Sequence, residues 1–333
     1  MPSNDNATIL INQRLDSFAQ FAELAVAWNA DFRQLTTEQI KPEIFQAQVG
    51  TILLSSARFG CHVEQRGESP EGMCSFAVPW TDNPEMLWYG NLVGSNFLLR
   101  FPNHRELDIH SKPGFHAMTF SIPEAALVNR FNRDGHPGLG KVLQSGRTVF
   151  PTSGALLNQL RQALRLASRL AGQEVSSQFI MDEIQQQIMS ILIGIFRLHL
   201  PESGSEWNGS QEKLGSMLEF IRGNDQEPLQ VIDLCNYMKV SERGLQVLFK
   251  SKLGMTPKAY LTGRRMYGAH RALWCSDPSS SGVSEVANDW GYWHMGNFAA
   301  YYRKMFGELP SETLNKSSQY SSDTPDMNGS TEW

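Results

Sequence analysis

The stretch VSEVANDWGYWHMGNFAAYYRKMFGELP, Val283 to Pro310, decides how the chain is read. Val283, Val286, Ala287 and Trp290 recur at helical spacing and give a short first helix one apolar face. Gly291 can adopt the positive φ that a turn between helices needs. A second helix is expected from about His294 to Phe306, with Phe298, Tyr302, Met305 and Phe306 on one side. His294, Met295, Asn297, Tyr301 and Lys304 fall largely on its other sides. Gly307 stops it, and Arg303 and Lys304 sit in the last turn, where cations suit the helix dipole. A helix-turn-helix has this arrangement: one face packs and the other enters a DNA major groove. An ordinary helical hairpin shares the local pattern, so the stretch alone leaves both open.

A second copy decides between them. Residues 249–261, FKSKLGMTPKAYL, align with residues 302–314, YRKMFGELPSETL, at an offset of 53. Gly254 matches Gly307, Pro257 matches Pro310 and Leu245 matches Phe298. Upstream, LQVIDLCNYMKVS repeats the helix-then-turn form, and Ser241 is placed to cap the helix that follows. Leu245, Leu248, Phe249 and Leu253 make the stripe expected to be buried. Arg243, Gln246, Val247 and Lys250 remain on the open face. Thr256-Pro257 makes an N-cap and first-turn pair for the helix that joins the two units. Gly263 and Gly268 weaken that helix.

Residues 229–314 resemble the DNA-binding domain of the AraC/XylS transcriptional regulators. The matching pieces are VSERGLQVLFKSKLGMTPKAYL, then RRM at 264–266, then VSEVANDWGYWHMGNF, then FGELP. VIDLCNYMKVSERGLQ and WGYWHMGNFAAYY are similar to the subgroup that regulates ethanolamine-utilisation operons. The chain departs from the family at Lys239, where the first turn often has Gly, and at Thr313 and Leu314, which replace a common Tyr-Arg. Gly244 weakens the first recognition helix by about 1 kcal/mol relative to Ala.

The resemblance implies an α+β fold: an N-terminal cupin-like β-barrel with dimerisation helices, then an all-α double helix-turn-helix domain. It implies a cytoplasmic, homodimeric regulator, an activator, whose partners are operator DNA, a small-molecule effector and RNA polymerase. Arg243, Gln246 and Val247 would enter one major groove. His294, Met295, Asn297, Ala300 and Tyr301 would enter the next, ~34 Å along the same DNA face. Lys250, Arg303 and Lys304 suit phosphate, which anchors without specifying sequence. Ethanolamine is the effector that the subgroup suggests, with adenosylcobalamin as a co-signal. The alternatives are a DNA architectural protein with no role in transcription, or a cupin-type enzyme fused to a DNA-binding domain.

Composition fits this division. At 333 residues and 41% hydrophobic, the chain can hold two cores. The net charge of −5 argues against a general nucleic-acid coat, but residues 239–316 hold 11 Lys and Arg against 6 Asp and Glu. We expect an effector and dimerisation domain over 1–205, a DNA-binding domain over 206–316 and a disordered Ser/Thr/Asn-rich tail over 317–333. PESGSEWNGS at 201–210 reads as the linker. Cys61, Cys74, Cys235 and Cys275 form no C-x-x-C pair and read as buried free thiols. No signal-like segment opens the chain. The longest apolar run, IMSILIGIF at 188–196, is too short to span a bilayer.

In the N-terminal part, residues 1–12 read as a loose segment and 14–28 as a helix. From Ile44 to about Ile122 short apolar or alternating runs are cut by Gly, Pro and Asn, which suggests an antiparallel sandwich or small barrel. Trp80, Trp88, Tyr89, Phe97, Phe101 and Phe115 could line a pocket there. Glu64, Trp80, Trp88 and His116 are the candidate effector contacts, with Glu64 suited to a cation beside an aromatic wall. Residues 155–170 and 179–200 form two amphipathic helices. GHPGLGK at 135–141 has Val142 where a phosphate loop needs Ser or Thr, and reads as a turn. His62, His104, His110 and His116 form no H-x-H pair, so no metal, no other cofactor and no catalytic residue is expected.

Overall fold

The computed structural model describes residues 8–24, 29–37, 41–80, 86–102, 106–171, 178–199, 212–224 and 228–321. The expected linker at 201–210 lies outside them. The described residues open with β1 (Thr8–Arg14), α1 (Phe18–Leu24) and β2 (Asn29–Gln34). There follow β3 (Glu43–Val49), β4 (Ile52–Arg58), β5 (Val63–Glu68), β6 (Met73–Pro79) and β7 (Met86–Trp88). β8 (Asn91–Val93), β9 (Phe97–Phe101), β10 (Ile109–Ser111) and β11 (His116–Pro123) complete the series. Then come α2 (Glu124–Arg133), one 3-10 turn (Pro137–Leu139), α3 (Gly140–Gln144), β12 (Val149–Pro151), α4 (Gly154–Leu170) and α5 (Gln178–Arg197). The C-terminal part is α6 (Glu212–Gly223), α7 (Val231–Met238), α8 (Glu242–Leu253), α9 (Pro257–Cys275), α10 (Val283–Asp289), α11 (Met295–Phe306) and α12 (Pro310–Ser321).

The described chain divides into two compact units, the second made of residues 217–250 and 255–321 together with 33–37. In the first unit the strands form two antiparallel sheets, ordered β1-β3-β4-β11-β6-β9-β12 and β2-β5-β10-β7-β8. The expected barrel is not closed: among the described residues no ladder joins the sheets, and their edges are β1 and β12, and β2 and β8. Two of these edge strands, β8 and β12, are only three residues each. The fold is a sandwich.

Alternation along the strands sorts side chains to two sides. On β11, Met118, Phe120 and Ile122 join Leu54, Phe76 and Val78 under the helices, against Phe131, Leu160, Leu164, Ile188 and Phe196. Ala117 falls on the other side, with Ala77, Leu99 and Phe101, facing Val63, Met86, Trp88 and Ile109 of the smaller sheet. α4 and α5 therefore bury their apolar faces in the chain's own core. Ser153 caps α4 by accepting from Leu156 N at 3.3 Å.

Four local expectations are corrected. Thr8–Arg14 is a strand paired with β3, since TILINQR alternates and finds an open sheet edge. α1 is shorter than the expected 14–28, with Phe18 and Phe21 stacked at 5.6 Å and buried against Phe59. Cys61, Cys74 and Cys235 are buried, but Cys275 is exposed at the end of α9. The helix α12 also runs to Ser321, past the expected start of the tail at 317. Pro310 at its start and Leu309 N donating to Glu312 Oε2 at 2.6 Å fix its first turn. Among the described residues no helix is long and apolar enough to cross a membrane.

Candidate nucleic-acid interface

The first helix-turn-helix is α7 and α8. Gln230 N donates to Asp233 Oδ2 at 2.7 Å and starts α7. Lys239 turns the chain at φ +53°, and Ser241 Oγ accepts from Gly244 N at 3.2 Å to start α8. Leu245, Phe249 and Leu253 are buried. Arg243, Gln246, Val247 and Lys250 are exposed, as their helical phase requires. Gln246 Nε2 donates to Glu242 Oε1 at 3.3 Å, which places an acidic side chain on the same open face. The sequence reading passed over Glu242.

The second is α10 and α11. Gly282 N donates to Glu285 Oε2 at 3.4 Å at the start of α10. Gly291 makes the turn at φ +77°, with its N–H on Asn288 O at 2.8 Å. His294 lies just before α11. Phe298, Tyr302, Met305 and Phe306 are buried. His294, Asn297, Ala300, Tyr301, Arg303 and Lys304 are exposed, while Met295 is half-buried against the apolar cluster of this unit. Trp293 is 74% exposed in the turn ahead of α11. Gly296 and Asn297 stand at i+3 and i+4 from it, so the sequence offers it no apolar partner on a helix face.

The 53-residue repeat has a structural counterpart. Gly254 and Gly307 follow α8 and α11 at φ +73° and +80°. Pro257 and Pro310 each begin the next helix, α9 and α12. Thr256 Oγ1 accepts from Ala259 N at 3.2 Å, so α9 starts as its sequence suggests. Gly268 of α9 is required rather than tolerated. A Cβ there would stand 2.1 Å from the Trp290 ring. Tyr292, with Arg265 over its ring at 5.7 Å, donates to Thr262 O at 3.4 Å. Burial pushes the Tyr292 hydroxyl up to about 12, against the pull of Arg265.

Beneath α11 runs a directed hydrogen-bond chain. Tyr302 OH donates to Thr313 Oγ1 at 2.7 Å, and Thr313 donates to Glu308 Oε1 at 2.6 Å, with Lys316 on the other carboxylate oxygen. His270 Nδ1 lies 2.5 Å from the Tyr302 oxygen, whose proton is already committed. His270 therefore donates from Nδ1, and its lowered pKa keeps the ring neutral at pH 7. Burial lowers its pKa to about 4; Glu308 opposes this and Lys316 adds to it.

The first unit holds a cavity of about 50 Å³ between its sheets. Trp88, Phe101 and Phe115 line it, and Glu64, Trp80, Tyr89, Phe97 and His116 do not. Glu64 is buried with Arg66 Nε on its Oε1 at 3.1 Å. Trp80 and His116 fall on the helix side of the large sheet. Arg165 lies 4.9 Å over the Trp80 ring, and Ser56 Oγ bonds His116 Nε2 at 3.1 Å. Burial and then Arg58 lower the His116 pKa. Gln46, Ser55, Gln65 and Thr119 line the cavity and were not expected to. Among the described residues no group of three or more His, Cys, Asp or Glu is placed to hold a metal ion.

A family described as "Helix-turn-helix domain" matches residues 234–316. The chain is 41% identical over 97 residues to the "Probable thc operon regulatory protein" of Rhodococcus erythropolis, covering 29% of each. It is 37% identical over 102 residues to "XylDLEGF operon transcriptional activator 3" of Pseudomonas putida, covering 30% of each. A crystal structure from Chromobacterium violaceum, described as a transcriptional regulator with an AraC-type DNA-binding domain, is 31% identical. The match spans 33% of this chain and 96% of that one, with a TM-score of 0.30. The C-terminal unit carries an AraC-type helix-turn-helix domain. The chain spans about 30% of the length of these curated relatives. The matched residues 234–316 run from within α7 into α12. Within them, the Thr313 that replaces a common family residue is spent in the buried chain from His270, and Leu314 joins the core.

Proposed function

We propose that the protein is a sequence-specific DNA-binding transcriptional regulator, an activator, controlled by a small molecule held in its sandwich. The observation that carries the proposal is the paired exposed faces of α8 and α11. Each presents polar and basic side chains over a buried apolar stripe, and α9 joins them. Arg243, Gln246 and Val247 read one major groove, and His294, Asn297, Ala300 and Tyr301 the next, with Met295 at the edge of that contact. Lys250, Arg303 and Lys304 hold phosphate. Glu242, on the first face, is chemically suited to cytosine N4.

The two Pseudomonas and Rhodococcus relatives, named for an operon activator and an operon regulator, support the regulatory role. The reading extends to RNA polymerase as the partner at the promoter and to a homodimer built on α4 and α5. Leu166, Phe179 and Ile180, exposed on those helices, are available for such a contact. The cavity between the sheets is the effector site in this reading. Ethanolamine is the effector suggested by the likeness of the DNA-binding half to regulators of ethanolamine-utilisation operons, and that half does not encode effector choice. Selection of bound sequences from random DNA with the full chain, followed by a reporter behind the selected site, tests the proposal. A defined site that drives effector-dependent expression supports it. A defined site without any effect on transcription favours an architectural role.

A further inference from the structure

We infer that the ligand of the sandwich cavity is a small uncharged molecule that presents a hydrogen-bond acceptor to Trp88. This rests on the reading of that cavity as the effector site. Its walls are aromatic: Phe21, Phe32, Phe59, Trp88, Phe101 and Phe115. The described polar residues that line it, Gln46, Ser55, Gln65 and Thr119, are all neutral, and none is Asp, Glu, Lys, Arg or His. The Thr119 hydroxyl already donates to Ser55 O at 3.1 Å. An ion entering such a space loses its hydration and gains no counter-ion. Glu64 and Asp108, buried carboxylates of this unit outside the cavity lining, pair elsewhere: Glu64 with Arg66 at 3.1 Å and Asp108 with His110 at 3.4 Å. Trp88 is 2% exposed, and its Nε1–H has no hydrogen-bond partner among the described residues. An indole nitrogen only donates, and a buried donor left unmade is costly. A carbonyl, nitrile or ether on the ligand removes that cost. The cavity of about 50 Å³ holds several waters' worth of space, which suits a compound of a few heavy atoms. Protonated ethanolamine matches the size and fails the charge.

The test uses the full chain and four probes of one size: propanamide, propanoate, propylammonium and ethanolamine. Thermal unfolding and titration calorimetry read binding. Propanamide is expected to raise the midpoint, and the three charged probes to leave it unchanged at equal concentration. Ala77→Leu, which fills the cavity, is expected to abolish the propanamide shift. Trp88→Phe keeps the ring, removes the N–H, and is expected to weaken binding about tenfold, the scale of one lost hydrogen bond. Ala57→Leu replaces Ala77→Leu if the latter lowers the unliganded midpoint. A shift with a charged probe that the filling variant abolishes overturns the uncharged class while the cavity stands as the site. A shift that survives both filling variants, or no shift with any probe, overturns the cavity as the effector site together with this inference.

Discussion

Lys239 turns the chain between α7 and α8 at φ +53°, a conformation that costs a side-chain-bearing residue about 1 kcal/mol and glycine little. Its side chain is exposed, so nothing in the packing offsets that cost. Lys239→Gly is expected to stabilise the protein by about 1 kcal/mol, less the extra chain entropy of glycine, read as a higher urea midpoint. An unchanged or lower midpoint would mean that the turn carries no strain. Arg243, exposed in the first turn of α8, has the planar fork that holds guanine O6 and N7 together. Arg243→Ala should cost ~1–3 kcal/mol on the selected site and relax one base preference. Equal weakening on selected and random DNA would make it a phosphate contact. At this scale the sequence was legible wherever backbone geometry demands a residue type: Gly291, Gly307, Ser241 and Thr256 all do what their types suggest. Glu242 and Trp293 were not legible, because helical phase sorts residues into buried and open without saying which open ones matter.

The helices α8 and α11 were readable as elements because apolar spacing and a terminal glycine agree in each, and α8 has the Ser241 cap besides. β1 and the short α1 were not, since a seven-residue run can alternate and still be claimed by either structure. The buried chain under α11 was also hidden. It joins residues from α9, α11 and α12, and only the fold brings His270, Tyr302 and Thr313 together. Its pH dependence follows from the lowered pKa. His270 has a folded pKa of about 4 against 6.5 when unfolded, so the unfolded state takes up the proton first as pH falls. The stabilisation is complete above pH ~6.5, is lost between about 6.5 and 4, and amounts to about 3 kcal/mol. Glu308 favours the protonated form and Lys316 opposes it. Urea unfolding from pH 7.5 to 4 should show that slope, and His270→Asn, which keeps a donor to Tyr302 but cannot titrate, should flatten it. A slope unchanged in the variant would assign the effect to other groups.

At the scale of the whole molecule, composition already separated a basic C-terminal segment from an acidic body, and the structure divides the chain into two compact units. The N-terminal architecture was legible only to the level of short antiparallel strands. Whether such strands close into a barrel depends on how the last strands pair across the rim, which no local pattern encodes; here they form two sheets. The split into units and the placement of every candidate DNA contact in one of them lead to a modular expectation. Residues 205–333, although they lack the 33–37 segment of that unit, should fold alone and bind DNA with an affinity that falls as salt rises, because phosphate contacts release counterions. A folded fragment with no affinity at low salt would contradict that modularity. The central claim is that α8 and α11 read two successive major grooves of one site. Hydroxyl-radical footprinting of the full chain on its selected site tests it most directly. The account predicts two protected patches on one face of the duplex, about 10 base pairs apart, with Arg243→Ala weakening one and Asn297→Ala the other. A single protected groove, or uniform protection that ignores sequence, would contradict it.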